Sequence, residues 1–233
     1  MSKDVNRRAF MNAAGVAAVT GLVVPSALAA DETVKPADTV LIIGVACSPR
    51  KGKTTATAVQ AALDAAKAVN PRIVTQLVDL GGLTIGGWQG GAKPDAPAQI
   101  KDDFDLILPY FEAPNLGGLI IGSPSYFCSV SALCKSFMER LYVLRTPTMR
   151  LGNKPVGAVA VGSFRNGGQE LVIEQILTAM LCFDALPVGG KSNAHQGATL
   201  WNNYNDDITQ DEFGIDTAKK LGIRVAETAL KLA

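Results

Sequence analysis

The sequence has 233 residues, 48% of them apolar, and 22 basic against 21 acidic side chains give a formal net charge of +1. That length supplies one α/β domain with a sizeable core. So balanced a charge excludes a global field that would recruit nucleic acid or an anionic membrane, and any attraction for an anion must be local.

The first thirty residues read as a leader. Lys3, Arg7 and Arg8 precede a weakly apolar stretch from Ala13 to Val24, followed by Pro25 and Ala27-Leu28-Ala29. Basic, apolar and small-residue regions in that order are the anatomy of a secretory signal. Asn6-Arg7-Arg8-Ala9-Phe10-Met11 resembles the twin-arginine export motif, with Asn where Ser or Thr is usual and Met where Leu is usual. The expectation is an exported, periplasmic protein in which residues 1–30 are removed and residues 31–233 form a single domain with no integral membrane segment.

Val40 to Val45 is a continuous apolar run, followed by Ser48-Pro49-Arg50-Lys51-Gly52-Lys53 and an alanine-rich pattern from Thr55 to Val69. This predicts a buried parallel strand, a polar turn and a helix that stops at Asn70-Pro71. Ile73 to Leu80 reads as a second strand, and the glycine-rich stretch from Gly81 to Pro97 as a long loop with Trp88 as its apolar anchor. Ala98 to Phe111 has helical spacing, Leu116 to Gly122 is a third strand, and Ser131 to Leu144 is a helix with Leu133, Phe137 and Leu141 on one face. Val156 to Gly162, the helix Leu171 to Phe183, a short strand Ala185 to Val188, a polar segment Gly190 to Asp211 and a last helix to Leu232 complete the chain. Alternating strands and helices predict an α/β three-layer sandwich around a five-stranded parallel sheet.

Ligands of open parallel sheets bind beyond the carboxyl ends of the strands where strand order reverses, here after the first, third and fourth strands. The first connection offers the unpaired amides and positive dipole of a helix start, with Ser48, Thr54, Thr55, Arg50 and Lys53 around it, which suits a phosphate. Thr54 or Ser48 would serve equally as a plain helix cap. The second connection, Pro124-Ser125-Tyr126-Phe127-Cys128-Ser129, sets aromatic faces beside that turn, and one of the two rings is expected to pack into the core. The third, Ser163 to Gln169, carries Arg165 and the pair Gly167-Gly168, which let backbone approach a heterocycle edge closely.

Gly52-Lys53-Thr54 matches the end of a P-loop, but the glycine required five residues earlier is Cys47, and Pro49 stiffens the loop. The lone His195 reads as a solvated loop residue. Trp201 and Tyr204 suit either a cover over a bound ring, a subunit contact or a loop anchor. Cys47, Cys128, Cys134 and Cys182 contain no C-x-x-C pair, so no metal site is expected, and those near strand ends and helices read as small buried hydrophobes.

Taken together, Ser48 to Thr55, Gly122 to Ser131, and Gly162-Ser163 with Gly167-Gly168-Gln169-Glu170 resemble the flavodoxin-like NAD(P)H-dependent FMN reductase family, especially its iron-sulfur flavoprotein branch. The likeness spans about Thr39 to Leu232. It implies that the first motif holds the FMN phosphate, that the second lies along the isoalloxazine and that the third borders one of its edges. It also implies that the flavin, rather than any side chain, carries the redox chemistry, with NAD(P)H as a co-substrate and a homodimer or homotetramer as the assembly. A small molecule or a redox protein would give or accept the electrons. The cluster cysteines of that branch would fall in Gly81 to Ala92, where this chain has none, so no iron-sulfur cluster is expected. Thr54 stands where Asn is frequent, and Cys128 replaces a frequent Gly.

Overall fold

In the computed structural model of the chain, residues 38–90 and 102–233 are described. The leader expected at 1–30 and the start of the helix expected from Ala98 lie outside them. β1 (Val40–Ala46), β2 (Ile73–Asp79), β3 (Leu116–Pro124), β4 (Pro155–Gly162), β5 (Leu186–Pro187) and β6 (Ala198–Trp201) form one sheet in the order β2-β1-β3-β4-β5, with every pairing parallel. This is the flavodoxin-like order, and its reversal between β1 and β3 marks, beyond the carboxyl ends of those strands, the place where open parallel sheets bind ligands.

The strands alternate their apolar side chains between two cores. Ile43, Val45, Leu119, Ile121, Ala158 and Ala160 face α2 (Phe104–Phe111), α3 (Ala132–Arg140) and α4 (Gln169–Leu181), whereas Val40, Ile42, Ile120, Val159 and Val161 face α1 (Thr54–Lys67) and α5 (Glu212–Leu232). Period-two alternation in strands buried on both faces yields the three layers that the apolar runs predict. α1 and α5 touch backbone to backbone, and a Cβ at Gly222 would stand 1.9 Å from the carbonyl oxygen of Ala62.

Three local readings change. The fifth strand is split, since Pro155 and Val156 of β4 pair with β5 while Val159–Gly162 pair with β6 along the same edge. β6 was hidden in the polar segment because only four residues, Ala198–Trp201, are extended. Among the described residues α2 begins at Phe104, and just before it Asp102 and Asp103 turn their carboxylates to backbone amides: Asp102 accepts from Gly86 at 2.8 Å and Phe104 at 3.0 Å, and Asp103 accepts from Thr84 at 2.8 Å. Those bonds tie the loop after β2 to the start of α2. The helix expected to reach Leu144 ends at Arg140 and finishes as a 3-10 turn, Leu141–Leu144.

Candidate functional site

The connection from β1 to α1 lies at the reversal point. Ser48 is buried and its Oγ accepts from the Arg50 amide at 3.2 Å, while Asp79, at the end of β2, accepts from the amides of Gly52 at 2.7 Å and Gly81 at 2.9 Å. Gly52 takes φ +66°, a left-handed turn conformation open to glycine. These contacts bring the chain into α1 with Lys53 at the N-cap position and no side-chain cap. Among the described residues, the amides of Thr54, Thr55 and Ala56 have no acceptor, and Thr54 and Thr55, buried as residues, form no hydrogen bond through their hydroxyls. Three uncapped amides at the positive end of a helix, two idle hydroxyls and the flanking Arg50 and Lys53 fit a phosphate.

The second connection is held against the first. The buried Ser131 caps α3, accepting from the Cys134 amide at 3.0 Å, and donates its hydroxyl to the carbonyl of Cys47 at 2.6 Å. Between β3 and α3 the chain makes a tight two-residue turn: Tyr126 and Ser129 exchange both amide bonds, at 2.9 and 3.0 Å, with Phe127 and Cys128 at its tip. Both tip residues have positive φ, +53° and +59°, a geometry usually left to Asn and Gly. Gln175 of α4 clamps the turn, its Oε1 accepting from Ser129 Oγ at 2.8 Å and the Val130 amide at 3.2 Å. The expectation that one aromatic ring would enter the core is not met. Tyr126 is 39% exposed and Phe127 stands wholly in solvent, because the turn points its tip away from the sheet.

The third connection closes onto the second. Ser125 Oγ donates to the Gly167 carbonyl at 2.6 Å, and Gly168, with φ +84°, presses so closely that a Cβ there would lie 2.8 Å from that of Cys128. Pro124, Ser125, Ser163, Gly167 and Gly168 are therefore gathered at the same sheet end as Ser48 and Thr55. Two predicted members are engaged elsewhere. Arg165 pairs with Asp211, the cap of α5, and lies 5.7 Å from the Trp201 ring. Gln169 is buried, donating to the carbonyls of Phe164 at 2.7 Å and Leu200 at 3.0 Å, and so fixes the loop to β6 rather than reaching outward. Its Oε1 is buried without a partner.

Sequence reasoning missed Asp206. Its carboxylate lies 2.5 Å from Arg50 Nη1 and 3.4 Å from Lys53 Nζ, and the Arg50 hydrogen bond, helped by Lys53, holds its pKa below the usual carboxylate value. Nothing in chain order links residues so far apart. His195 is exposed, as expected.

The cysteines divide into Cys47 and Cys134, buried, and Cys128 and Cys182, exposed, so Cys182 departs from the buried role expected of cysteines on helices. Burial, and then the hydrogen bond to Cys134, pushes the Cys47 thiol well above its ordinary pKa, which makes it a poor nucleophile. Among the described residues no three His, Cys, Asp or Glu side chains form a metal-ligand group. The donor set does not fit an iron-sulfur cluster.

The NADPH-dependent FMN reductase family model matches residues 40–199, which include all three connections. The chain belongs to that family. It is thus an FMN oxidoreductase. An iron-sulfur flavoprotein of Methanocaldococcus jannaschii is 38% identical over 189 residues, 80% of this chain and 95% of that protein. Another from Methanosarcina thermophila is 32% identical over 180 residues, 77% of this chain and 92% of that protein. The fold matches the solved WrbA-like flavodoxin protein of Agrobacterium tumefaciens with a TM-score of 0.56 at 14% identity, covering 83% of this chain and 98% of that one.

Proposed function

We propose that the protein is an exported, FMN-dependent oxidoreductase that draws on NAD(P)H or a redox partner and delivers electrons to a quinone, a metal ion or a small aromatic acceptor. The observation that carries this reading is the uncapped start of α1, where Thr54, Thr55 and Ala56 leave their amides free beside Arg50. When bound, FMN supplies the hydride and single-electron chemistry. Ser48, Thr54 and Thr55 hold its phosphate by hydrogen bonds, and Arg50 and Lys53 neutralise the charge. The rigid turn Tyr126–Ser129, with Ser125, Gly167 and Gly168, orients the planar ring. No side-chain acid or base is required of this chain.

The relatives are named iron-sulfur flavoproteins, but Gly81 to Ala92 of this chain has no cysteine, and the proposal is a flavin-only protein. The leader motif supports export, and since NAD(P)H is a cytoplasmic donor, a periplasmic form would take its electrons from a redox protein or quinol. The family likeness makes a homodimer or homotetramer the assembly we propose.

The test is the absorbance spectrum of the purified folded protein, with the cofactor identified after denaturation and steady-state NAD(P)H oxidation measured with quinone, ferric and nitroaromatic acceptors. A yellow protein releasing FMN and turning over is expected. Tightly bound FMN without turnover would make the protein an electron carrier instead, and a colourless protein that does not take up FMN would overturn the reading.

A further inference from the structure

The segment following β6 runs as a strap from the third connection to the first. The Asn202 amide donates to the Gly162 carbonyl at 3.0 Å, the Tyr204 ring lies 6.2 Å from that of Phe164, and Asp206 reaches Arg50 and Lys53. Asn203, Tyr204 and Asp206 all take positive φ, at +48°, +60° and +57°. Non-glycine residues in that region are strained and persist only where surrounding contacts hold them. One holding contact is the Asp206 ion triad, in which a carboxylate satisfies the two cations flanking the uncapped helix start. Its neighbour Asp207 does something else: it accepts from the amide and hydroxyl of Thr209, at 2.8 and 2.7 Å.

We infer that Asp206 is a resident anion of the phosphate site, a specificity-determining residue that the phosphate of the incoming flavin must displace from Arg50 and Lys53. The inference rests on the reading that FMN phosphate binds at the start of α1. Exchange of one anion for another favours the incoming group in proportion to its charge, and a phosphomonoester carries nearly two negative charges at pH 7 where Asp206 carries one. A flavin without phosphate makes no such exchange. Asp206 therefore keeps the two cations satisfied until a phosphorylated flavin arrives, and it sets how much of the site's attraction FMN realises.

The experiment measures dissociation constants for FMN and riboflavin by flavin fluorescence, on apoprotein of the wild type, Asp206→Asn and Asp207→Asn. Both substitutions remove one negative charge from the same strap, so Asp207→Asn reports the general electrostatic effect. The inference predicts that Asp206→Asn binds FMN about fivefold more tightly than Asp207→Asn does, the size of an exposed ion pair, with riboflavin affinity unchanged. Equal FMN affinities in the two variants, or weaker binding by Asp206→Asn, would overturn the inference while leaving the phosphate site standing. Equal affinity of the wild type for FMN and riboflavin would instead remove the phosphate reading and the inference with it.

Discussion

The hydroxyl of Ser131 donates to the carbonyl of Cys47 at 2.6 Å and accepts from the Cys134 amide, so one buried side chain caps α3 and fixes the end of β1. Its removal orphans a buried carbonyl and a helix amide together. Ser131→Ala is expected to lower stability by about 2 kcal/mol, from a lost cap and an unsatisfied buried acceptor. Urea denaturation of the apoprotein reads this directly. A midpoint matching the wild type would mean that the two connections are held together by other contacts.

Cys128 occupies a left-handed position at the tip of the turn beside the site, at φ +59°. Glycine adopts that geometry without cost, so Cys128→Gly is expected to stabilise the fold by about 1 kcal/mol, a rise of roughly 3 °C in melting temperature for a chain of this size. A lowered melting temperature would show that the side chain's contact with Gly168 outweighs the backbone strain.

Asp102 and Arg140 form a nearly buried ion pair that anchors the loop after β2 to α3. Burial works to raise the Asp102 pKa, but the amide bonds from Gly86 and Phe104, together with Arg140, outweigh it and hold the group below its ordinary value. With the folded pKa below the unfolded one, the stabilisation is complete above the unfolded value of about 3.9 and is lost as pH falls through the folded value. Asp102→Asn is expected to cost about 3 kcal/mol at pH 7, because Arg140 is left without its counter-ion. Denaturant titrations at pH 7 and at pH 3 should show that gap narrowing in acid. A gap independent of pH would assign the loss to packing rather than charge.

Much of this was legible in residue order because the physics is local. Runs such as Val40 to Val45 and Val156 to Gly162 belong to strands buried on both faces, and their polar, glycine-bearing exits mark the connections that converge on the site. What stayed hidden depends on partners distant in sequence. Asp102 sits in a stretch of helical spacing, yet its carboxylate is taken by Gly86, Phe104 and Arg140. Arg165 and Gln169 are polar residues on a site loop, but Asp211 and Leu200 claim them from the far side of the sheet edge. Asp206 meets Arg50 across a sequence separation of 156 residues. Phe127 is an aromatic residue whose environment is set by the tight turn rather than by apolar periodicity.

The central claim is that the start of α1 binds the phosphate of FMN, and the measurement closest to it is flavin affinity in Arg50→Ala/Thr55→Ala compared with the wild type. The account predicts about 100-fold weaker FMN binding, the loss of two charge-assisted hydrogen bonds, with riboflavin affinity and the circular dichroism spectrum unchanged. FMN binding as tight as that of the wild type in the folded double variant would contradict it.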